Sequence, residues 1–198
     1  MTRERLFLFD TTLRDGQQPQ GVQFSTAEKA QTATAPDARD VFGGVEPLAS
    51  ILHFTECAFF DRRPLWHFMW GGVFDRHPKL RLVFAEALAH WVPQELLRLD
   101  EMYDMWNLKV LRDQLPLRPS EYWRRNCAIT ATFPSRAEIE MRAEIGLENL
   151  LWGSDYPHPE GLAEPCSYVD HLPEGLAGED VAAIMGGNLG RLMRVETP

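Results

Sequence analysis

Leu150-Leu151-Trp152-Gly153-Ser154-Asp155-Tyr156-Pro157-His158-Pro159-Glu160-Gly161 is the stretch on which the reading of this chain turns. A short apolar run ends in Gly-Ser-Asp, the pattern of a buried parallel strand that delivers a carboxylate to the C-terminal mouth of an α/β barrel. Each proline fixes its own φ and disfavours helix in the residue before it, so Tyr156 to Pro159 stays extended. Asp155 is therefore a candidate catalytic residue, and His158, three residues on, a second. The same residues also fit a turn capped by Asp155 with His158 on the surface.

Working upstream, Ser135-Arg136-Ala137-Glu138 has the capping-box pattern and predicts a helix to Ile145, stopped by Gly146. Asn126 to Thr132 holds several β-branched residues and predicts a strand. Trp91-Val92-Pro93 opens a long helix in which Val92, Leu96, Leu99 and Tyr103 recur at helical spacing, which predicts a core-facing stripe. Lys79 to Glu86 predicts a strand ending in an acid, so Glu86 holds the same kind of position as Asp155 and is a third catalytic candidate. Asp75-Arg76-His77-Pro78 predicts a turn before it. The helix begun by Arg63-Pro64 has an apolar face of Leu65, Phe68 and Met69, and His67 on it reads as a packing residue rather than a ligand. Downstream, residues 178–193 predict a helix pair hinged at Gly186-Gly187-Asn188. Strands alternating with helices from Lys79 onward give an α/β fold with a parallel sheet.

The totals narrow the function. With 198 residues the chain suffices for one sizeable domain, and its net charge of −9 argues against nucleic acid or an anionic membrane as partner. A small-molecule substrate or another protein fits better. No apolar run reaches membrane-spanning length. Cys57, Cys127 and Cys166 are odd in number and widely spaced, which suits a reducing cytoplasm and neither a disulfide framework nor a Cys-rich zinc site.

The N-terminus reads differently. Arg5 to Asp10 predicts a strand, Thr11 to Gln18 a polar loop at its end, and Ser25-Thr26-Ala27-Glu28 a helix start. In such a loop an aspartate can ligate a divalent cation and an arginine can steady an enolate oxygen, although Arg-Asp-Gly is also ordinary turn chemistry. Residues 3–31, with Asp10-Thr11-Thr12-Leu13-Arg14-Asp15-Gly16, resemble the opening of citramalate synthase and isopropylmalate synthase. That resemblance implies that Asp15 is a metal ligand and Arg14 the enolate-stabilising residue. It also implies a late His-x-His pair, and no two histidines here are separated by a single residue.

From about residue 43 to 194 the chain resembles the amidohydrolase-related branch of the amidohydrolase superfamily, which includes aminocarboxymuconate-semialdehyde decarboxylase. Phe54 to Asp75, His77 to Asp100, Pro119 to Cys127 and Leu150 to Gly161 carry the likeness, in order and at matching spacing. It implies a metal-dependent hydrolase or decarboxylase on a (β/α)8 barrel, with Asp155 ligating a divalent metal, zinc first among the possibilities, and Glu86 facing the substrate. It also implies a first-strand His-x-His pair and a middle-strand histidine, whereas no histidine precedes His53. Leu162-Ala163-Glu164-Pro165 departs from the usual continuation of the last loop. A complete barrel takes about 250 residues. The expectation is a partial (β/α)8 TIM-type barrel, about half a barrel over 43–198, with an added strand and helix over 1–35. Its open strand edges favour a homo-oligomer. The resulting function is a hydrolase or decarboxylase impaired or inactive as this truncated chain. The alternatives are a non-catalytic fusion of two gene fragments and a synthase-type acyltransferase.

Overall fold

The computed structural model describes residues 55, 62–85, 87–105, 109–131, 135–155 and 161–194. The expected strand and helix of residues 1–35 lie outside these. Three parallel strands form the sheet: β1 (Leu82–Phe84), β2 (Cys127–Ala131) and β3 (Leu150–Trp152), in the order β1-β2-β3. Phe84 lies opposite Ile129, and Ala131 opposite Trp152. Strands that neighbour in chain order, without a reversal, follow the rhythm of a barrel rather than of a doubly wound sheet.

Helices α1 (Arg62–Trp70) and α2 (Val73–Arg76) precede β1. Between β1 and β2 come α3 (Val92–Asp104), α4 (Lys109–Gln114) and α5 (Pro119–Asn126). Between β2 and β3 come α6 (Arg136–Glu140), α7 (Arg142–Ile145) and a 3-10 turn, Leu147–Asn149. After β3 a 3-10 segment, Pro165–His171, leads to α8 (Gly178–Ala182), a stretch Ala183–Gly187 kinked at Gly186, within the expected hinge, and α9 (Asn188–Met193).

Most of these elements follow the sequence reading. Leu65, Phe68 and Met69 are buried, as is the α3 stripe of Val92, Leu96, Leu99 and Tyr103. Alternation along the strands sorts the sheet into two faces. Leu82, Phe84, Cys127, Ile129 and Leu150 join the large core under the helices, while Val83, Ala128 and Leu151 form a second cluster on the opposite face, with Leu192 against it. In the large core Phe84 meets the Trp91 and Trp123 rings at 5.9 and 5.8 Å, and the Trp123 indole donates to the Ile145 carbonyl at 2.7 Å. Trp66, Trp70 and Trp152 pack against that same core, so the tryptophans serve the helix side of the sheet.

Several expectations change. His67 is exposed rather than packed, because the buried stripe of α1 is only as wide as Leu65, Phe68 and Met69. Asp75 lies in the one-turn helix α2, begun after Gly72 at φ +64°, instead of a simple turn. The strand expected over Lys79–Glu86 is confined to Leu82–Phe84 among the described residues. The helix from Ser135 is broken at Met141 into α6 and α7.

Three buried asparagines, which the sequence reading passed over, tie the strand starts together. Asn126 donates to the Pro78 and Leu80 carbonyls ahead of β1. Asn149 donates to the Trp123, Arg124 and Cys127 carbonyls around the start of β2, and Asn188 to those of Leu147 and Leu150 around the start of β3. Each amide thus bonds carbonyls of neighbouring elements and holds the strand starts in place.

Candidate active site

The parallel sheet brings the C-terminal ends of its strands to one side, and there Asp155 follows β3. Asp155 is half-buried and adopts φ +54°, a left-handed conformation that Asp tolerates better than most residues because its short side chain bonds locally. The loop after it is closed by the Leu162 N–H, which donates to the Ser154 carbonyl at 2.9 Å. Two residues before Asp155, a Cβ on Gly153 would come within 2.9 Å of Thr130 Cγ2. Glycine at that place therefore lets the end of β3 lie against the Thr130 methyl. The Ala87 N–H donates to the Thr130 carbonyl at 3.2 Å, tying the segment after β1 to β2 at the same end.

Of the predicted site residues, Asp155 is the one placed; Glu86, His158 and Asp15 lie outside the described residues. Glu138, read in the sequence as a helix cap, has a second task. One oxygen closes the capping box by accepting from Ser135 N at 2.7 Å, and the other accepts from the backbone N–H groups of Ala89, at 2.5 Å, and His90, at 3.2 Å. A carboxylate only 1% exposed thus fixes the segment at Ala89 and His90, after β1. No local sequence signal could reveal that bond across 49 residues.

Tyr168, in the segment after the site loop, stacks on Trp152 at 5.6 Å, and burial first, then the Glu138 charge, pushes its phenol up to about 12. A cleft of about 650 Å³ lies along α1 and α3, lined by Arg62, Trp66, Glu95 and Arg98 among others, and Asp155 is not part of its wall. The Glu95 carboxylate there already accepts from the Trp66 indole at 2.6 Å and from Arg98 at 2.5 Å. It therefore serves to join the two helices.

Among the described residues no three His, Cys, Asp or Glu side chains converge on a point that could hold a metal ion. Asp155 alone does not meet the three or more protein ligands that such centres use.

The fold and sequence have known counterparts. The chain resembles an amidohydrolase from Mycobacterium avium subsp. paratuberculosis K-10, with TM-score 0.63 and 30% identity over 77% of this chain and 37% of that one. It also resembles 5-carboxyvanillate decarboxylase from Sphingomonas paucimobilis, with TM-score 0.55 and 28% identity over 78% of this chain and 44% of that one. A dihydroxybenzoic acid decarboxylase from Polaromonas sp. JS666, solved with manganese and 2-nitroresorcinol, shares the fold at TM-score 0.56 and 18% identity, over 83% of this chain and 48% of that one. The chain spans about half or less of the length of these structures. A separate likeness, 62% identity over 65 residues, is to 2-isopropylmalate synthase of Parabacteroides distasonis; it takes in 32% of this chain and 13% of that protein, a longer stretch than residues 3–31. The family model described as Amidohydrolase matches residues 61–194, about two thirds of the sequence, and with a parallel sheet carrying Asp155 past its last strand the chain belongs to the amidohydrolase family.

Proposed function

We propose that this chain carries the C-terminal half of a metal-dependent hydrolase or decarboxylase site, in which Asp155 is a metal ligand and proton acceptor, Glu86 faces the substrate and His158 assists. The observation that supports it best is Asp155 itself, held in a left-handed conformation directly after a parallel strand and at the head of a loop tied by the Ser154–Leu162 bond. A divalent metal in such a site lowers the pKa of bound water and polarises a carboxyl group. The manganese in the Polaromonas enzyme favours a divalent ion, with zinc an equal candidate by donor chemistry. The likeness to 5-carboxyvanillate decarboxylase favours an aromatic carboxylic acid as substrate.

With Asp155 as the one described ligand, the chain by itself turns over slowly or not at all. The test is carbon dioxide release from a panel of hydroxylated benzoates with manganese or zinc present, for the chain and for Asp155→Asn. Slow release that the variant lacks supports the reading, and measurable release that is equal from both overturns it.

A second reading has its own observation. The synthase likeness and the amidohydrolase match are to unrelated families in one chain, which favours a fusion of two gene fragments acting through protein contacts. Its domains would be 1–35 and 43–198. In either reading the outer edges of β1 and β3, which pair with no further strand among the described residues, invite pairing with a second copy. Light scattering at high protein concentration should then show a dimer or larger species, and a clean monomer would count against it. Among the described residues no helix is long and apolar enough to cross a membrane. Free Cys127 and Cys166 suit a reducing compartment such as the cytoplasm.

A further inference from the structure

The end of the sheet opposite Asp155 concentrates positive charge in a chain whose net charge is −9. Arg81 immediately precedes β1, Arg124 and Arg125 lie at the end of α5 just before β2, and Arg191 lies on α9. All four line one concavity of about 170 Å³, together with Glu148 and the buried amides Asn149 and Asn188. Glu148 is its one acidic lining residue.

Among the described residues two of the four arginines have a carboxylate within ion-pairing distance. Arg124 approaches Glu148 at 3.6 Å, and Arg125 approaches Asp75 at 3.9 Å, both at the long end of ion pairing. Arg81 donates to two backbone carbonyls, those of Pro78 and Leu80. Arg191 donates to the side-chain oxygen of Asn188. Among the described residues neither Arg81 nor Arg191 has a carboxylate partner. Burial, and after it the charge of Arg125, lowers the Arg81 pKa, as expected of guanidinium groups crowded without a counter-ion.

We propose that this concavity binds a phosphate group, with Arg81 and Arg191 as its principal donors and Arg124 and Arg125 at its rim. Guanidinium groups offer paired N–H donors that match a tetrahedral oxyanion. The volume is well below the 300–1,000 Å³ of sites for larger organic ligands. Parallel strands put this site on the side of the sheet away from Asp155, the side that in barrels serves stability rather than chemistry. A bound phosphate would therefore stabilise the fold by mass action without taking part in turnover.

Phosphorus-31 line broadening, with inorganic phosphate and separately with glycerol phosphate, tests this on the whole chain at constant ionic strength. The wild type should broaden the signal at millimolar phosphate, and chloride should compete weakly. Arg191→Gln and Arg81→Gln should each reduce the broadening at least about fivefold, as loss of a charge-assisted donor pair predicts. Broadening by glycerol phosphate as well would identify a phosphate monoester as an acceptable source, and broadening by inorganic phosphate alone would restrict the site to the free ion. Arg191 is exposed on α9, so Arg191→Gln keeps the test valid if Arg81→Gln fails to fold. Equal broadening by wild type and Arg191→Gln, or none by the wild type, would overturn the proposal.

Discussion

Asp155 and Glu138 show how one carboxylate is placed by the backbone and another places it. The cost of φ +54° is roughly 1 kcal/mol for a non-glycine residue, small enough for the Ser154–Leu162 closure to hold it. Glu138 works in the other direction, using both oxygens to hold three backbone N–H groups belonging to two different loops. Glu138→Ala would leave the buried Ala89 N–H without its acceptor and remove the two partly buried bonds from His90 and Ser135, and we expect it to lower unfolding free energy in urea by about 3 kcal/mol. Glu138→Gln keeps one acceptor oxygen and should lose clearly less. Equal stability of Glu138→Ala and wild type would show that the loop after β1 does not depend on this bond.

The segment Pro165–His171 places Tyr168 between Trp152 and the Glu138 charge, and it gives that part of the chain a pH signature. An unfolded tyrosine loses its proton near pH 10.0, and Tyr168 in the folded chain near pH 12. The folded state therefore holds its proton longer, so this contribution is complete below pH 10 and is lost as pH rises through 12. Tyr122, raised by burial and by its hydrogen bond to Asp75, acts in the same sense. Urea midpoints measured from pH 9 to 12 should fall more steeply for wild type than for Tyr168→Phe; parallel curves would exclude Tyr168 as a source. At this scale the sequence was legible wherever periodicity and caps act locally, as in the α3 stripe, the Ser135 box and the apolar run of β3. It was not legible for Asn126, Asn149 and Asn188, whose partners are carbonyls of other elements. The exposure of His67 was hidden for a related reason, since nine residues of α1 carry too narrow a stripe to place its flanks.

The described residues form a parallel sheet with different chemistry at its two ends: a carboxylate past β3 at one, four arginines around the strand starts at the other. Its parallel α/β character was readable from the strand–helix rhythm, and its partial-barrel character from the resemblance to the amidohydrolases. The proposed metal site was not, because ligand sets are assembled from distant strands and Asp155, the ligand we propose, is the one with a local pattern. Family membership follows from residues 61–194, and the activity rests on whether Asp155 holds a metal there. The direct test is manganese binding to the purified chain and to Asp155→Asn, followed by the free-ion electron paramagnetic resonance signal. Removing one anionic oxygen ligand should weaken binding at least about tenfold, while Asn preserves the left-handed backbone. Uptake by the wild type that falls by that factor in Asp155→Asn is the predicted result. Equal uptake by both, or none by the wild type, would contradict Asp155 as a metal ligand.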